Sequence, residues 1–283
     1  MPKFSMQEAL EVTKIHSVAG NLNRSGENYL INQRQFRNPH HTASAVALVG
    51  GGAHPRPGEI SLAHRGVLFL DEFPEFSRDV IESLRQPLED GKISVSRASH
   101  SITYPARFLL VASMNPCPCG NHQNHRKECL CSPGTILRYQ KKISGPIIDR
   151  FDIKLDVPQE DPAKLKDEPD YRESEEIRQK VEAAREKQLE RFRAIAPGLP
   201  LGDSAIFANS EMNNREVRRF CKIDGEDQEF LDNYVTTKKL SHRAYFKILK
   251  LARTIADLEG RENIGSQDLR EATHYKNDGV VSI

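Results

Sequence analysis

The chain has 283 residues, enough for one large or two ordinary domains, and 37% of them are hydrophobic while 29% are charged. A formal net charge of +1 excludes a global attraction to nucleic acid or membrane, so any contact with a polyanion must be local. No apolar run approaches the length of a membrane-spanning helix and the first residues form no apolar signal region, so we expect a cytoplasmic protein.

The N-terminal part of the sequence predicts a capped helix followed by a glycine-rich hairpin. Ser5 with Glu8 three residues later forms a capping box, which predicts an amphipathic helix over residues 5–19. The polar stretch 20–35 predicts a loop. Over residues 41–62, three glycines and a Pro-Arg-Pro-Gly turn separate short apolar segments, which predicts a hairpin with a flexible tip.

The apolar run Val67–Leu70 is the predicted centre of a parallel sheet, buried on both faces. It ends in Asp71 and Glu72, and ligands of such sheets bind at the carboxyl ends of the strands. A nucleoside triphosphate site needs such a pair: Asp71 would hold hydrated Mg²⁺, and Glu72 would orient and deprotonate the attacking water. The alternative is a core strand followed by an acidic helix N-terminus that the helix dipole stabilises.

Three further elements follow the acid pair. A helix is predicted over 77–89, and the alternating pattern over 92–104 predicts a second hairpin. Another strand, buried on both faces, is predicted over 107–114 and ends at Asn115. An amide at the end of a neighbouring parallel strand would lie close to the acid pair, where Asn115 would hold the attacking water or the γ-phosphate.

Four of the five cysteines lie within one short segment, as two Cys-x-Cys pairs with His122 and His125 between them: Cys117, Cys119, Cys129 and Cys131. In a reducing compartment this grouping favours metal over disulfides. The four thiolates can surround a tetrahedral Zn²⁺, which would be structural because no open position is left for water. The spacing differs from the usual Cys-x-x-Cys, and the alternative is a loop of buried free thiols.

Arg150 precedes a strand predicted over 153–157. In a ring of ATPases, an arginine at such a place reaches the γ-phosphate bound by the neighbouring subunit. The alternative is a surface ion pair.

The C-terminal half is predicted to be helical. A long charged helix is predicted over 174–193, and prolines and glycines over 194–204 mark a domain boundary. Four short helices follow and form a small bundle, in which Arg243 would reach a phosphate or be an ordinary exposed arginine. We therefore expect an α/β core over 1–158, a linker with the long helix over 159–203, and a helical bundle over 204–283.

Several long motifs resemble the magnesium-chelatase-like AAA+ ATPases, in particular the bacterial ComM/YifB branch. The resemblance extends over almost the whole chain, and its most specific motifs are the segments 36–42, 50–72, 114–120, 144–152 and 240–245. The resemblance implies an α/β fold with a parallel-sheet AAA+ core, β-hairpin insertions and a small C-terminal helical lid. The hairpins at 41–62 and 92–104 resemble insertions that face the pore of a ring.

The resemblance also implies roles for five residues. Asp71 and Glu72 resemble the Walker B pair, and Asn115 resembles sensor 1. Arg150 resembles the arginine finger, and Arg243 resembles the sensor 2 arginine of the lid.

For function, the resemblance implies a hexameric motor that uses ATP and Mg²⁺ to drive branch migration of DNA. One departure is clear: Gly-x-x-x-x-Gly-Lys-Ser/Thr occurs nowhere in the sequence. The chain thus resembles a truncated core without its first strand and phosphate-binding loop. We expect this polypeptide alone not to bind or hydrolyse ATP, and we expect an open edge beside the central strand.

Two alternative functions remain open. The first is a chelatase-like ATPase subunit that drives metal insertion through a partner. The second is a non-catalytic, zinc-stabilised adaptor.

Overall fold

The computed structural model describes residues 1–22, 30–52, 55–96, 101–122, 126–158, 171–193 and 206–276, without the side chains of Ser96 and Tyr171. These residues form two compact units. The first unit runs from Lys3 to Phe151, and the second contains Met1–Pro2 and the described residues after Phe151.

The first unit is a mixed α/β structure. Its helices are α1 (Met6–Ala19), α2 (Ala45–Val49), α3 (Glu59–Leu62), α4 (Arg78–Ser83), α5 (Arg85–Asp90), α6 (Pro133–Gln140) and α7 (Gly145–Ile148). Its strands are β1 (Phe36–Arg37), β2 (Gly50–Gly51), β3 (Arg56–Pro57), β4 (Val67–Leu70), β5 (Lys92–Ser96), β6 (Ser101–Pro105) and β7 (Leu109–Ala112).

A three-stranded parallel sheet organises this unit, in the order β1-β4-β7. The predicted parallel sheet with β4 at its centre is therefore confirmed. Leu68 and Leu70 are completely buried against a core that also contains Ile60, Val80 and Ile147. The alternate residues of β4 are only half-buried, so burial on both faces was a wrong prediction for this strand.

The second strand predicted to be buried on both faces, β7, is also exposed on the face of the sheet opposite the core. In β7, Leu109 is 51% exposed and Val111 is 39% exposed, so the predicted double burial of 107–114 is wrong. These side chains share a face with Phe36, whose ring stacks on Phe69 at a centroid distance of 6.0 Å. The predicted open edge beside the central strand is also wrong, because β1 and β7 flank β4; among the described residues the edge strands are β1 and β7.

Local chemistry decides where the short elements begin and end. The apolar run 45–49, predicted as part of a hairpin, is helix α2 with Ser44 as its N-cap. The antiparallel pairing there is limited to β2 and β3. Gly50 adopts a φ of 103°, and a Cβ at this position would lie 2.3 Å from the carbonyl oxygen of Arg56, so only glycine allows this close approach.

The helix predicted over 77–89 is divided at Leu84 into α4 and α5. Pro87 has no N–H to donate to the carbonyl four residues earlier, which interrupts a continuous helix. Ser77 is the N-cap of α4, and Gly91, in the left-handed conformation, ends α5, so the ends of the predicted segment agree with the structure to within about two residues. The capping box of α1 and the antiparallel pairing of β5 with β6 are also as predicted.

The second unit is helical: α8 (Tyr171–Arg193), α9 (Asn214–Phe220), α10 (Gly225–Thr237), α11 (His242–Leu258) and α12 (Ser266–His274). The strand predicted over 153–157 is wrong, because this segment is irregular and its apolar side chains are exposed. Asp257 of α11 is buried and accepts hydrogen bonds from Arg191 of α8, from Arg253 and from Asn209. Within the described ranges, no helix is both long and apolar enough to cross a bilayer.

Candidate functional site

Asp71 and Glu72 emerge at the carboxyl end of the central strand, where both are exposed. The pairing of β4 with β7 continues past the strands, since Ser113 N donates to Leu70 O at 3.1 Å and Phe73 N donates to Ser113 O at 2.9 Å. The Asp71 carboxylate therefore accepts a hydrogen bond from the Ser113 hydroxyl and another, at 3.0 Å, from the backbone N–H of Glu72. This edge fixes the orientation of Asp71.

The backbone of Glu72 is left-handed, with φ 52° and ψ 44°. This conformation costs a non-glycine residue roughly 1–2 kcal/mol, and strain of this kind clusters at functional sites. It turns the chain sharply after β4, and the glutamate side chain meets His41, whose Nδ1 lies 3.0 Å from its Oε2. The side chain of Glu72 remains about half exposed, at 52%.

Sequence reasoning missed both His41 and Ser113. The signal for each was its position after a strand that runs parallel to β4. Ser113 directly follows β7, and His41 comes four residues after the end of β1, so both reach the same edge of the sheet as the acid pair. The ring of His41 lies against His40, at a centroid distance of 4.1 Å, and edge-on to Phe76 at 6.4 Å.

Asn115 lies two residues beyond Ser113, at the same edge, and is exposed. Its backbone N–H donates to the hydroxyl of Tyr139, a buried residue of α6. Burial raises the pKa of Tyr139, and the negative charges of Glu75, Cys117 and Glu72 raise it further. The environment of Tyr139 is thus influenced by Glu72, by Asn115 and by the first cysteine of the segment.

The two predicted arginines lie elsewhere. Arg150 follows α7, and its guanidinium pairs with Glu89 of α5 and donates to the carbonyl of Pro146. An ion pair, the alternative interpretation, is therefore present, but the Arg150 side chain is only 12% exposed and the pair is not fully on the surface. Arg243 is exposed in the first turn of α11, in the second unit.

The cysteine segment brings all four predicted sulfurs together, within 4.8 Å of one another. The Sγ–Sγ distances are 3.4 Å for Cys117–Cys119, 3.7 Å for Cys117–Cys129 and 3.6 Å for Cys119–Cys129. A tetrahedral zinc with Zn–S bonds of about 2.3 Å requires sulfur separations of ~3.8 Å. The geometry fits a four-thiolate metal site.

Each sulfur also receives a backbone N–H. His122 N donates to Cys117 at 3.3 Å, and the N–H groups of Asn121, Cys131 and Cys119 donate to Cys119, Cys129 and Cys131 respectively. Such donors stabilise thiolates rather than thiols. The alternative of buried free thiols does not describe this loop, because only Cys117 is buried. His125 lies outside the described residues.

The neighbouring sulfurs shift one another's pKa values. The N–H of Asn121 and the hydrogen bond from Cys117 lower the pKa of Cys119 to about 6. At Cys129 the N–H of Cys131 acts in the same direction, but desolvation and the neighbouring sulfurs raise the pKa to about 12. Four thiolates in this space repel one another, and a divalent cation removes that repulsion.

Comparisons with known proteins agree with this geometry. A family model of magnesium chelatase, subunit ChlI, matches residues 1–165, and a model of the ChlI C-terminal region matches residues 171–276. The chain is 44% identical to YifB of Escherichia coli over 278 residues, which are 98% of this chain and 51% of YifB.

Two other relatives define the range of the similarity. Competence protein ComM of Haemophilus influenzae is 44% identical over 277 residues, 98% of this chain and 51% of ComM. The magnesium-chelatase 38 kDa subunit of Chlorobaculum parvum is 26% identical over 227 residues, 80% of this chain and 55% of that subunit. The chain therefore spans about half the length of the curated relatives it matches.

Proposed function

The chain belongs to the magnesium chelatase subunit ChlI family, and from this premise we propose that it carries the hydrolytic edge of an AAA+ ATPase motor. One observation carries the proposal: Asp71, Glu72, Ser113 and His41 meet where three parallel strands end. Nucleotides bind at this edge in open α/β sheets.

Each residue of the edge has a distinct role in this proposal. Asp71, held by Ser113, offers the hard carboxylate oxygen that Mg²⁺ prefers. Mg²⁺ would neutralise charge on the phosphates of ATP. Glu72 accepts a proton from the attacking water, and His41 holds its carboxylate until then. Asn115 positions the water or the γ-phosphate.

The phosphate-binding groups are not among these residues, since no Gly-x-x-x-x-Gly-Lys-Ser/Thr occurs in the sequence. We propose that residues outside this sequence supply them, which agrees with relatives about twice as long. The chain alone then neither binds nor hydrolyses ATP.

A ring assembly completes the site in this proposal. Arg150 acts on the nucleotide of a neighbouring subunit after it exchanges Glu89 for the γ-phosphate. Arg243 acts from the helical unit, as the lid arginine. The ring is a hexamer, as the resemblance implies.

DNA is the proposed substrate of the motor, with branch migration as its reaction. The support is the 44% identity to a relative named as a competence protein. Metal insertion through a partner is the second candidate, supported by the 26% identity to a magnesium-chelatase subunit. The net charge of +1 makes the DNA contact local, and the strand pairs β2–β3 and β5–β6 are the proposed contact elements.

Zinc at the four cysteines is the structural cofactor in the proposal. All five cysteines are free of disulfides, which agrees with a reducing, cytoplasmic location. A purely adaptor role is disfavoured by the Asp71–Ser113 and Glu72–His41 contacts, because an adaptor has no need of an oriented, strained acid pair.

A chimera tests this function. In it, the chain replaces the matched segment of the Haemophilus influenzae ComM protein, and ATP turnover is measured with and without branched DNA. We expect turnover that DNA stimulates and that rising salt weakens, and none from the chain alone. ATP turnover that DNA does not change but that a porphyrin-binding partner stimulates would favour the chelatase function instead.

A further inference from the structure

We propose that the metal held by the four cysteines positions Asn115, so that metal occupancy controls the geometry of the hydrolytic edge. The inference rests on the proposed role of Asn115 for its effect on turnover. The metal site and the placement of the loop can be tested without that role.

The cysteines stand at the two ends of the connection between β7 and α6. Cys117 comes two residues after Asn115, and Cys131 comes two residues before α6 begins at Pro133. A metal that joins these cysteines closes the connection into a fixed loop. Closure of this kind reduces the number of conformations open to Asn115.

Two elements next to the cysteines lie close to Asn115. Helix α6 holds its backbone, because Tyr139 bonds its N–H and Gln140 Nε2 donates to Pro116 O at 3.3 Å. Gly120, in the left-handed conformation inside the cysteine loop, is the second. A Cβ at Gly120 would lie only 4.0 Å from Cγ and Oδ1 of Asn115.

Apolar packing does not hold this loop in place. Among its described residues, 116–122 and 126–132, Cys117 is fully buried while Leu130 is 87% exposed. These residues form no helix or strand, and a single turn, Gly120 N to Cys117 O at 3.0 Å, supports the first pair. The sulfurs with their backbone donors are the centre around which the loop is ordered, as in small metal-stabilised motifs.

The ligand set defines the ion and its role. Four thiolates select a borderline-soft divalent ion such as zinc over Mg²⁺. Because the coordination is closed, the ion has no place for water and takes no part in proton transfer. Its effect on the edge is transmitted through the position of Asn115.

The 283-residue chain itself gives the first test. The zinc content and the number of free thiols are measured, and amide exchange at Asn115 is followed with and without a chelator. We expect about one zinc per chain. After zinc is removed, amide exchange at Asn115 and Tyr139 should become about tenfold faster, and the original rates should return when zinc is added back. Exchange in α11 serves as the internal reference for folding.

Two variants sharpen this test. Cys129→Ser removes a ligand and should reproduce the chelator effect, whereas Cys221→Ala removes the cysteine of the second unit and should leave both zinc and exchange unchanged. Failure to bind zinc overturns the proposal. So does zinc binding that leaves exchange at Asn115 unchanged when the ion is removed.

A second arm uses the ComM chimera. Cys129→Ser should lower kcat about tenfold while KM for ATP stays the same, and it should add nothing to Asn115→Ala, because both act through one side chain. Additive losses would overturn the positioning role. If every chimera is inactive, the ATPase function fails while the zinc and exchange results still decide the present proposal.

Discussion

The Nδ1 atom of His41 lies 3.0 Å from Oε2 of Glu72, and the two residues lie in the segments that follow the neighbouring parallel strands β1 and β4. His41→Ala should therefore release the carboxylate and lower kcat of the ComM chimera by about tenfold to a hundredfold, since small displacements of a catalytic group have effects of this size. His274→Ala is the control, because His274 lies in α12 of the second unit, whereas His40 packs against the ring of His41. Equal losses in both variants would contradict the role of His41.

Gly66 allows β1 to lie close to β4. A Cβ at this position would stand 2.1 Å from the carbonyl oxygen of Gln35, which accepts the N–H of Val67. Gly66→Ala should lower the free energy of unfolding by about 2 kcal/mol or more. Gly134→Ala, with nothing within 4 Å of its added Cβ, should leave it unchanged or raise it slightly. Urea denaturation measures both, and equal stability would refute the close approach.

Asp257 neutralises two guanidiniums in the helical unit. Its side chain is completely buried between Arg191 and Arg253. Asp257→Ala leaves these charges without their carboxylate and should lower the free energy of unfolding by about 3–5 kcal/mol. Glu259 is exposed and comes two residues after Asp257. Glu259→Ala should change the free energy of unfolding by less than about 0.5 kcal/mol. A similar small effect of both variants in urea denaturation would argue against the network.

The first unit should lose stability in acid in two stages. Burial lowers the pKa of His64, which faces Glu11, Arg65 and Arg107, and burial also lowers that of His16. Since both are depressed below the ordinary 6.5, the unfolded chain binds protons first, and stability present above pH 6.5 is lost as pH falls.

The second stage belongs to Glu11. Burial opposes its ionisation, but hydrogen bonds from His64 and Arg65 hold its pKa at about 2, below the ordinary 4.5, so its contribution is lost between these values. Urea midpoints at pH 8 and 6 measure the first stage, and midpoints at pH 4.5 and 3 measure the second. A midpoint that stays constant from pH 8 to 6 would contradict the first stage. Glu11→Gln is the control for the second stage, because its midpoint should fall less between pH 4.5 and 3 than that of the unchanged chain.

Local signals in the sequence were sufficient to predict the family, the parallel sheet, the capped helices and the cysteine cluster. These predictions were possible because strand ends, helix caps and ligand spacing each depend on a few neighbouring residues. The exposure of one face of β7 was not predictable from its apolar run, since exposure depends on which elements cover the sheet. His41 was missed because its partner is distant in sequence, and the pairing of Arg150 with Glu89 depends on where α5 lies.

The role of Glu72 as the base is tested by comparing Glu72→Gln with Glu75→Gln in the ComM chimera. Glu75 is an exposed neighbour that pairs with Lys142 at 3.1 Å, and it has no role in the proposed chemistry. Glu72→Gln should lower kcat about a hundredfold or more with ATP still bound, while Glu75→Gln should keep normal turnover. Full turnover by the Glu72→Gln chimera would contradict the assignment of this edge as the hydrolytic site.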